Sequence, residues 1–290
     1  MKVACVQMDV QQCMKHKNLM KALSMAEEAT EKGAKLIVLP EVFSTGFCYD
    51  NFDLVAENFP GPTLDNLSCF SEIHDCILVG SVIEKVSADR FTAENTASEI
   101  SSPKIGLKDG NAGENSVLYY NMGFCLESGK LVGSYRKTHP FKSENSYFSK
   151  GDSIEPISLK NHNLKNHNLK IGFEICYELR FPEVARKLSL AGSDLLITTA
   201  AFPNPRSDHW KTLVKARAIE NQIPHIACNR TGNAPDVSYF GGSMIIDAWG
   251  EVKADAGNKE CIIISELDLK HKEGVRKAIP AFEDRRPELY

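Results

Sequence analysis

Residues 169–192 read LKIGFEICYELRFPEVARKLSLAG, and the fold turns on how this stretch divides. LKIGFEI is a short, nearly continuous apolar run, the pattern of a strand buried on both faces. FPEVARKLSLAG, which ends at Gly192, has the spacing of an amphipathic helix. Cys176 sits in the turn between them. The same alternation extends in both directions. Upstream, VACVQMDV reads as a strand and Lys17–Lys32 as a helix with Leu19, Ala22, Leu23, Ala26 and Ala29 on one face. Gly33 ends that helix, and KLIVLP, a helix around Leu64–His74 and the strand CILVGSVIE follow. Downstream come DLLITTAAF, the helix DHWKTLVKARAIENQ, and the strand-like IPHIACNR, GSMIIDAWG and ECIIISELDL. Such alternation predicts an α/β fold. The strands are too many for one open sheet of usual size, which points to two packed sheets.

The 290 residues can bury a full core without a disulfide or metal staple. Charged residues at 25%, hydrophobic residues at 42%, 19 Gly and 13 Pro exclude disordered, collagenous and coiled-coil classes. A net charge of −4 gives no general electrostatic case for binding nucleic acid or an acidic membrane. MKVACVQMDV lacks the long apolar run and cleavage site of a signal peptide, and no stretch has the length of a membrane helix. The nine cysteines include no CxxC pair and no zinc spacing, and most lie in apolar runs, so the set reads as reduced thiols in a cytoplasmic protein. Two stretches break the pattern. Residues 87–116 are polar and read as a surface insertion between strands. The tandem NHNLKNHNLK at 161–170 carries His162 and His167, which invite a metal reading, but its place before a strand favours a hairpin loop.

Three residues stand where buried strands run out: Glu41 after KLIVLP, Lys137 after LVGSYR and Cys176 after LKIGFEI. Carboxyl ends of strands are where α/β folds bind ligands. Singly, each has an ordinary reading as a solvated Glu, a surface Lys or a core Cys. Cys176 differs from the other thiols because a strand-to-helix turn can expose a nucleophile, and the dipole of the following helix is expected to favour its thiolate. A Cys–His peptidase would need His139 or His209 as partner, and no local signature supports either pairing.

Taken together, LPEVFSTGF, YRKTHPF and GFEICYELRFPE, in this order, resemble the three catalytic motifs of the nitrilase superfamily of carbon–nitrogen hydrolases. The resemblance covers nearly the whole chain apart from 87–116. It is closest to the ω-amidase branch, through STGF, PRSDHW and the tail VRKAIPAFEDRRPELY. It implies one four-layer α-β-β-α domain over 1–290, with a C-terminal tail from about Val275, and a homodimer formed through the helix at 183–191 and that tail. It implies Glu41 as general base, Cys176 as nucleophile forming a thioester, Lys137 and the backbone N–H of Tyr177 holding the oxyanion, and Glu144 positioning Lys137 and the amide. No metal or organic cofactor is expected. The implied substrate is the terminal amide of a small α-keto acid such as α-ketoglutaramate. Arg180 would take the carboxylate, Phe202 would wall the pocket, and Arg206 and Trp210 are further candidates, each with an ordinary reading as loop or core residue. The animal pattern has two threonines after Phe202, whereas this chain has Pro205 and Arg206 in that region. Alternatives remain open: a deaminated glutathione amidase, an N-carbamoyl amino-acid hydrolase or a true nitrilase with the same triad, or a non-catalytic binding scaffold.

Overall fold

In β1 (Lys2–Gln7) successive side chains enter two different apolar layers. Val3 and Cys5 join a cluster shared with Ile171, Phe173 and Ile175, while Ala4 and Val6 join one shared with Leu19, Ala22 and Ala26. A strand buried on both faces needs apolar residues at every position, which is why such strands read as unbroken apolar runs. The computed structural model describes residues 1–87, 117–164 and 167–289, and no side chains at 161–167. Most of the 87–116 insertion, and the side chains of His162 and His167, therefore lie outside the described residues.

The first sheet has the order β14 (Cys261–Glu266), β1, β2 (Leu36–Val38), β3 (Ile77–Ser87), β4 (Val117–Glu127) and β5 (Lys130–Arg136). The second runs β13 (Val252–Asp255), β12 (Met244–Ile246), β9 (His225–Asn229), β8 (Leu195–Ala200), β7 (His167–Ile175) and β6 (Ile157–Leu164). In each, the central strands pair in parallel, β1–β2–β3 and β7–β8–β9, with antiparallel strands outside them. Helices α1 (Lys15–Glu31) and α3 (Pro62–Ile73) cover the first sheet, and a short α2 (Phe52–Val55) lies between them in sequence. Helices α4 (Pro182–Leu190) and α5 (Ser207–Asn221) cover the second. This is the expected α-β-β-α order. The sheets meet closely: a Cβ added to Gly123 of β4 would lie 2.1 Å from the Phe173 ring of β7. Within the NHNLK duplication, Asn163 of β6 pairs opposite Asn168 of β7. After α6 (His271–Ala278), Phe282 lies between the guanidinium groups of Arg186 (4.8 Å) and Arg276 (4.2 Å), so the tail packs beside α4.

The cysteines require one correction. Cys13 and Cys48 form a disulfide with Cα atoms 5.3 Å apart, and the other seven are free. The reduced reading of the whole set fails because residues 35 apart in sequence are brought side by side, where Cys13 N–H donates to Thr45 O at 2.8 Å.

Candidate active site

Strands β2, β5 and β7 end at one place, and each delivers one reactive group to it. Glu41 follows β2 and is fully buried. Its Oε1 accepts from Lys137 Nζ at 2.7 Å and from Asn121 Nδ2 at 2.8 Å, and its Oε2 accepts from the Ala201 N–H at 2.9 Å. Lys137 follows β5, is 1% exposed, and also donates to Glu144 Oε2 at 2.8 Å. Glu144 is held in a 3-10 turn, Lys142–Ser146. Cys176 opens a second 3-10 turn, Cys176–Arg180, with φ at +52°. A non-glycine residue in the left-handed region is strained, and such strain gathers at sharp functional turns.

Glu178 ties two of these elements together. It is fully buried, and its Oε2 accepts from the Ile175 N–H at 2.7 Å. Its Oε1 accepts from the Thr138 N–H (2.7 Å) and the Tyr135 hydroxyl (2.6 Å). One carboxylate thus fixes the turn that carries Cys176 to the loop that carries Lys137. These hydrogen bonds hold the Glu178 carboxyl below its ordinary range against the cost of burial.

The charges are arranged for proton transfer. Burial and the neighbouring Glu41 carboxylate push the Cys176 thiol well above its ordinary value, with Lys137 opposing. Burial would depress the Lys137 ammonium, but Glu144 and Glu41 outweigh it and hold it well above its ordinary value. Burial lifts Glu144 to about 7, with Lys137 opposing. The expectation of a resting thiolate at Cys176 is therefore corrected. A 3-10 turn stands between the thiol and α4, so no α-helix begins at the sulfur, and desolvation dominates. Burial and Glu41 thus disfavour the thiolate form at this position.

Cys176 and Glu144 open onto a cavity of ≈ 530 Å³. Tyr177, singled out for the oxyanion, and Arg180, Phe202 and Arg206, singled out for substrate, line it. The Tyr177 N–H lies in the first turn of its 3-10 segment, where no earlier carbonyl of that segment can accept it. The Arg180 guanidinium lies 5.1 Å from the Phe202 ring centroid and the Arg206 guanidinium 5.3 Å from that of Phe141. Trp210 does not belong with them. It is fully buried, donates its indole N–H to Gly242 O at 2.7 Å, and packs behind Phe202 with centroids 5.3 Å apart. At its α5 position it faces the sheet, so the core reading is the correct one. His139 stacks on Phe181 at 4.2 Å, and His209 Nδ1 lies 3.3 Å from Arg180, so neither is placed as a base for Cys176. Among the described residues no group of three or more His, Cys, Asp or Glu side chains is placed to hold a metal.

Sequence reasoning missed other parts of the site. Asn121 and the Ala201 N–H orient Glu41, and Gln12, Phe47 and Tyr49 line the cavity beside the Cys13–Cys48 bond. A small hairpin, β10 (Thr231–Ala234) and β11 (Val237–Phe240), forms another wall with Ala234, Pro235, Asp236, Val237 and Tyr239. Its signal was the turn dipeptide Pro235–Asp236 between two short strands.

The family model described as carbon-nitrogen hydrolase matches residues 2–277. The chain is 34% identical to a 2-oxoglutaramate amidase from Bacillus subtilis, over 99% of this chain and 98% of that one. It is 28% identical to an omega-amidase from Homo sapiens, over 100% and 96%. The crystal structure of a carbon-nitrogen hydrolase from Helicobacter pylori superimposes with a TM-score of 0.83 at 26% identity, covering 100% of this chain and 96% of that one.

Proposed function

This chain belongs to the carbon–nitrogen hydrolase family, and from that premise we propose that it releases ammonia from the terminal amide of small α-keto acids, with α-ketoglutaramate giving 2-oxoglutarate, through a thioester on Cys176. The observation that carries the reading is the buried Glu41–Lys137 pair set beside the Cys176 thiol at a cavity open to solvent.

Each group has a task that its surroundings suit. Glu41 takes the thiol proton as sulfur attacks the amide carbon, and returns it to the leaving nitrogen as the C–N bond breaks. Lys137, kept charged by two carboxylates, and the Tyr177 N–H hold the oxyanion of the tetrahedral intermediate. Ammonia leaves, water takes its place, Glu41 accepts a proton from that water, and the thioester is hydrolysed to the acid and the free thiol. Glu144 fixes Lys137 from its other side. Asn121 and Ala201 hold the Glu41 carboxylate from two directions, so it need not reorganise during proton transfer.

The half-buried Arg180 supports a carboxylate at the far end of the substrate. Among the described residues it has no carboxylate partner, only His209 and the Phe202 face, and a guanidinium in that setting is matched by a bidentate anion. Arg206 is a second cation on the same cavity. Ammonia release from α-ketoglutaramate and α-ketosuccinamate, measured beside deaminated glutathione, an N-carbamoyl amino acid, glutamine and a simple nitrile, tests the assignment. Keto-acid amides should turn over fastest. A nitrile or carbamoyl compound turning over while α-ketoglutaramate is inert would refute it.

The assembly is proposed to be a homodimer through α4, α5 and the tail. Exposed Leu190 (48%), Ile219 (47%) and Ile279 (49%) support an apolar contact surface there. Light scattering should give twice the 32.2 kDa chain mass. A cytoplasmic location is proposed on the need to keep Cys176 a free thiol, and the Cys13–Cys48 bond is the observation that weighs against it. The net charge of −4 supports a small-molecule partner over nucleic acid.

A further inference from the structure

Tyr239 has no task in the steps above, yet it is built into the same cavity as Cys176 and Glu144. Its ring lies flat against a buried cation, with the Arg230 guanidinium 4.0 Å from the ring centroid. Arg230 is itself anchored, donating to Val10 O and lying 3.6 Å from Asp9. The backbone around Tyr239 is fixed as well. It pairs with Pro203, and Asn204 N–H donates to Ser238 O at 2.9 Å. Pro203 stands two residues after Ala201, whose N–H holds Glu41, so the wall carrying Tyr239 is joined closely to the support of the base.

Only the hydroxyl is left to explain. The side chain is 8% exposed, and among the described residues the hydroxyl makes no hydrogen bond. Tyr239 lines the cavity onto which Cys176 and Glu144 open, and the charges of Glu41, Cys176 and Glu144 act on its phenol. Burial, followed by the opposing charges of Arg230 and Glu41, leaves the phenol pushed up to about 12, so it stays protonated at working pH. A neutral hydroxyl with a free acceptor on the cavity that Cys176 and Glu144 line suits a neutral N–H or O–H group.

We propose that the Tyr239 hydroxyl is a further part of the catalytic machinery, accepting a hydrogen bond from the amide nitrogen that leaves and then from the water that replaces it beside Glu41. The proposal rests on the thioester route given above. It adds a second contact for the one reactant that has no other tether. The amide nitrogen is held through the rest of the substrate, whereas the water is held only by what it touches. Loss of the hydroxyl therefore slows thioester hydrolysis more than thioester formation.

Tyr239→Phe is the test, because it removes one oxygen and keeps the ring on Arg230. Steady-state ammonia release and the intact mass of enzyme quenched during turnover are measured together, with the melting temperature as a check on folding. The expected result is a kcat lower by about tenfold, the scale of one lost hydrogen bond in a transition state, with KM within about threefold of wild type. The Cys176 thioester should accumulate above its wild-type level. Unchanged kcat, a rise in KM alone, or a lower kcat without added thioester would each overturn the proposal. If wild-type enzyme hydrolyses a different amide and leaves α-ketoglutaramate untouched, the substrate assignment fails and the Tyr239 comparison is made on the amide that reacts.

Discussion

Replacing Glu178 with alanine should loosen the site from behind without touching any reacting atom. The carboxylate is fully buried and receives the N–H groups of Ile175 and Thr138 and the hydroxyls of Tyr135 and Thr138, all at 2.5–2.7 Å, with the His139 N–H at 3.3 Å. Truncation leaves several of these donors buried without an acceptor, and each such group costs about 1–3 kcal/mol. Water entering the gap recovers part of that, so a net loss of about 3–5 kcal/mol is expected. For a chain of this size that corresponds to a melting temperature lower by about 10 °C. Glu178→Gln keeps one acceptor oxygen and should fall between the two. The pH dependence has a definite sign. The folded-state carboxyl is held below its unfolded value, so its contribution is complete above the unfolded value, about 4.5. It fades as pH falls through the folded value. The gap between wild type and Glu178→Ala should therefore narrow in acid. Activity should fall as well, since a displacement of about 1 Å between Lys137 and Cys176 can cost about a hundredfold in rate. Thermal unfolding at several pH values, with ammonia release at the same protein concentration, measures both. A variant that melts within about 1 °C of wild type at neutral pH would refute the claim that this carboxylate joins the two catalytic turns.

Three other outcomes follow from the same geometry. Glu41→Gln can keep the Lys137 contact through its amide oxygen but removes the base and sets its NH2 against the Ala201 N–H, so ammonia release should drop by about a thousandfold. Thr198 bridges Glu174, which burial pushes up to about 7, and His225, which burial pushes down to about 4. The raised Glu174 contribution is complete below its unfolded value and lost as pH rises through about 7, whereas that of His225 is complete above about 6.5 and lost as pH falls through about 4. His225 and Glu144 keep their own pH dependence in the variant, so the sign is read from the difference: the melting temperature of Glu174→Gln should rise relative to wild type as pH goes from about 5 to 7, and a difference that does not change with pH would contradict the account. Thiol titration of denatured protein without reductant should find seven free cysteines rather than nine. Closing the 35-residue separation should contribute about 3–4 kcal/mol, seen as a lower melting point for Cys13→Ser.

The fold was legible because its strands are buried on both faces. KLIVLP and DLLITTAAF can serve in few places other than the inner layers of a sandwich, and the apolar face of Lys17–Lys32 needs a sheet to cover it. Cys176 was legible by its position between strand and helix, and Glu41 and Lys137 by motifs in order. What could not be read came from distance along the chain. Nothing local in HPF or ELR shows that Glu178 binds Thr138, because the bond depends on the sheets packing together. The Cys13–Cys48 bond has the same origin. Trp210 was uncertain because helical spacing gives a face but not what lies beyond it, and Phe202 turned out to stand between it and the cavity. The thiolate expectation failed on a local detail, the 3-10 turn of five residues that separates Cys176 from α4. The β10–β11 hairpin escaped notice because its strands are only 4 residues each, although it supplies Tyr239 to the cavity.

The central claim is that amide carbon becomes bonded to Cys176 sulfur. Enzyme quenched in acid while turning over α-ketoglutaramate, then weighed intact and as peptides, tests it directly. The account predicts an adduct equal to the substrate less ammonia, located on the peptide containing Cys176, and neither adduct nor ammonia from Cys176→Ala. Sustained ammonia release by Cys176→Ala, or an adduct on any other cysteine, would contradict it.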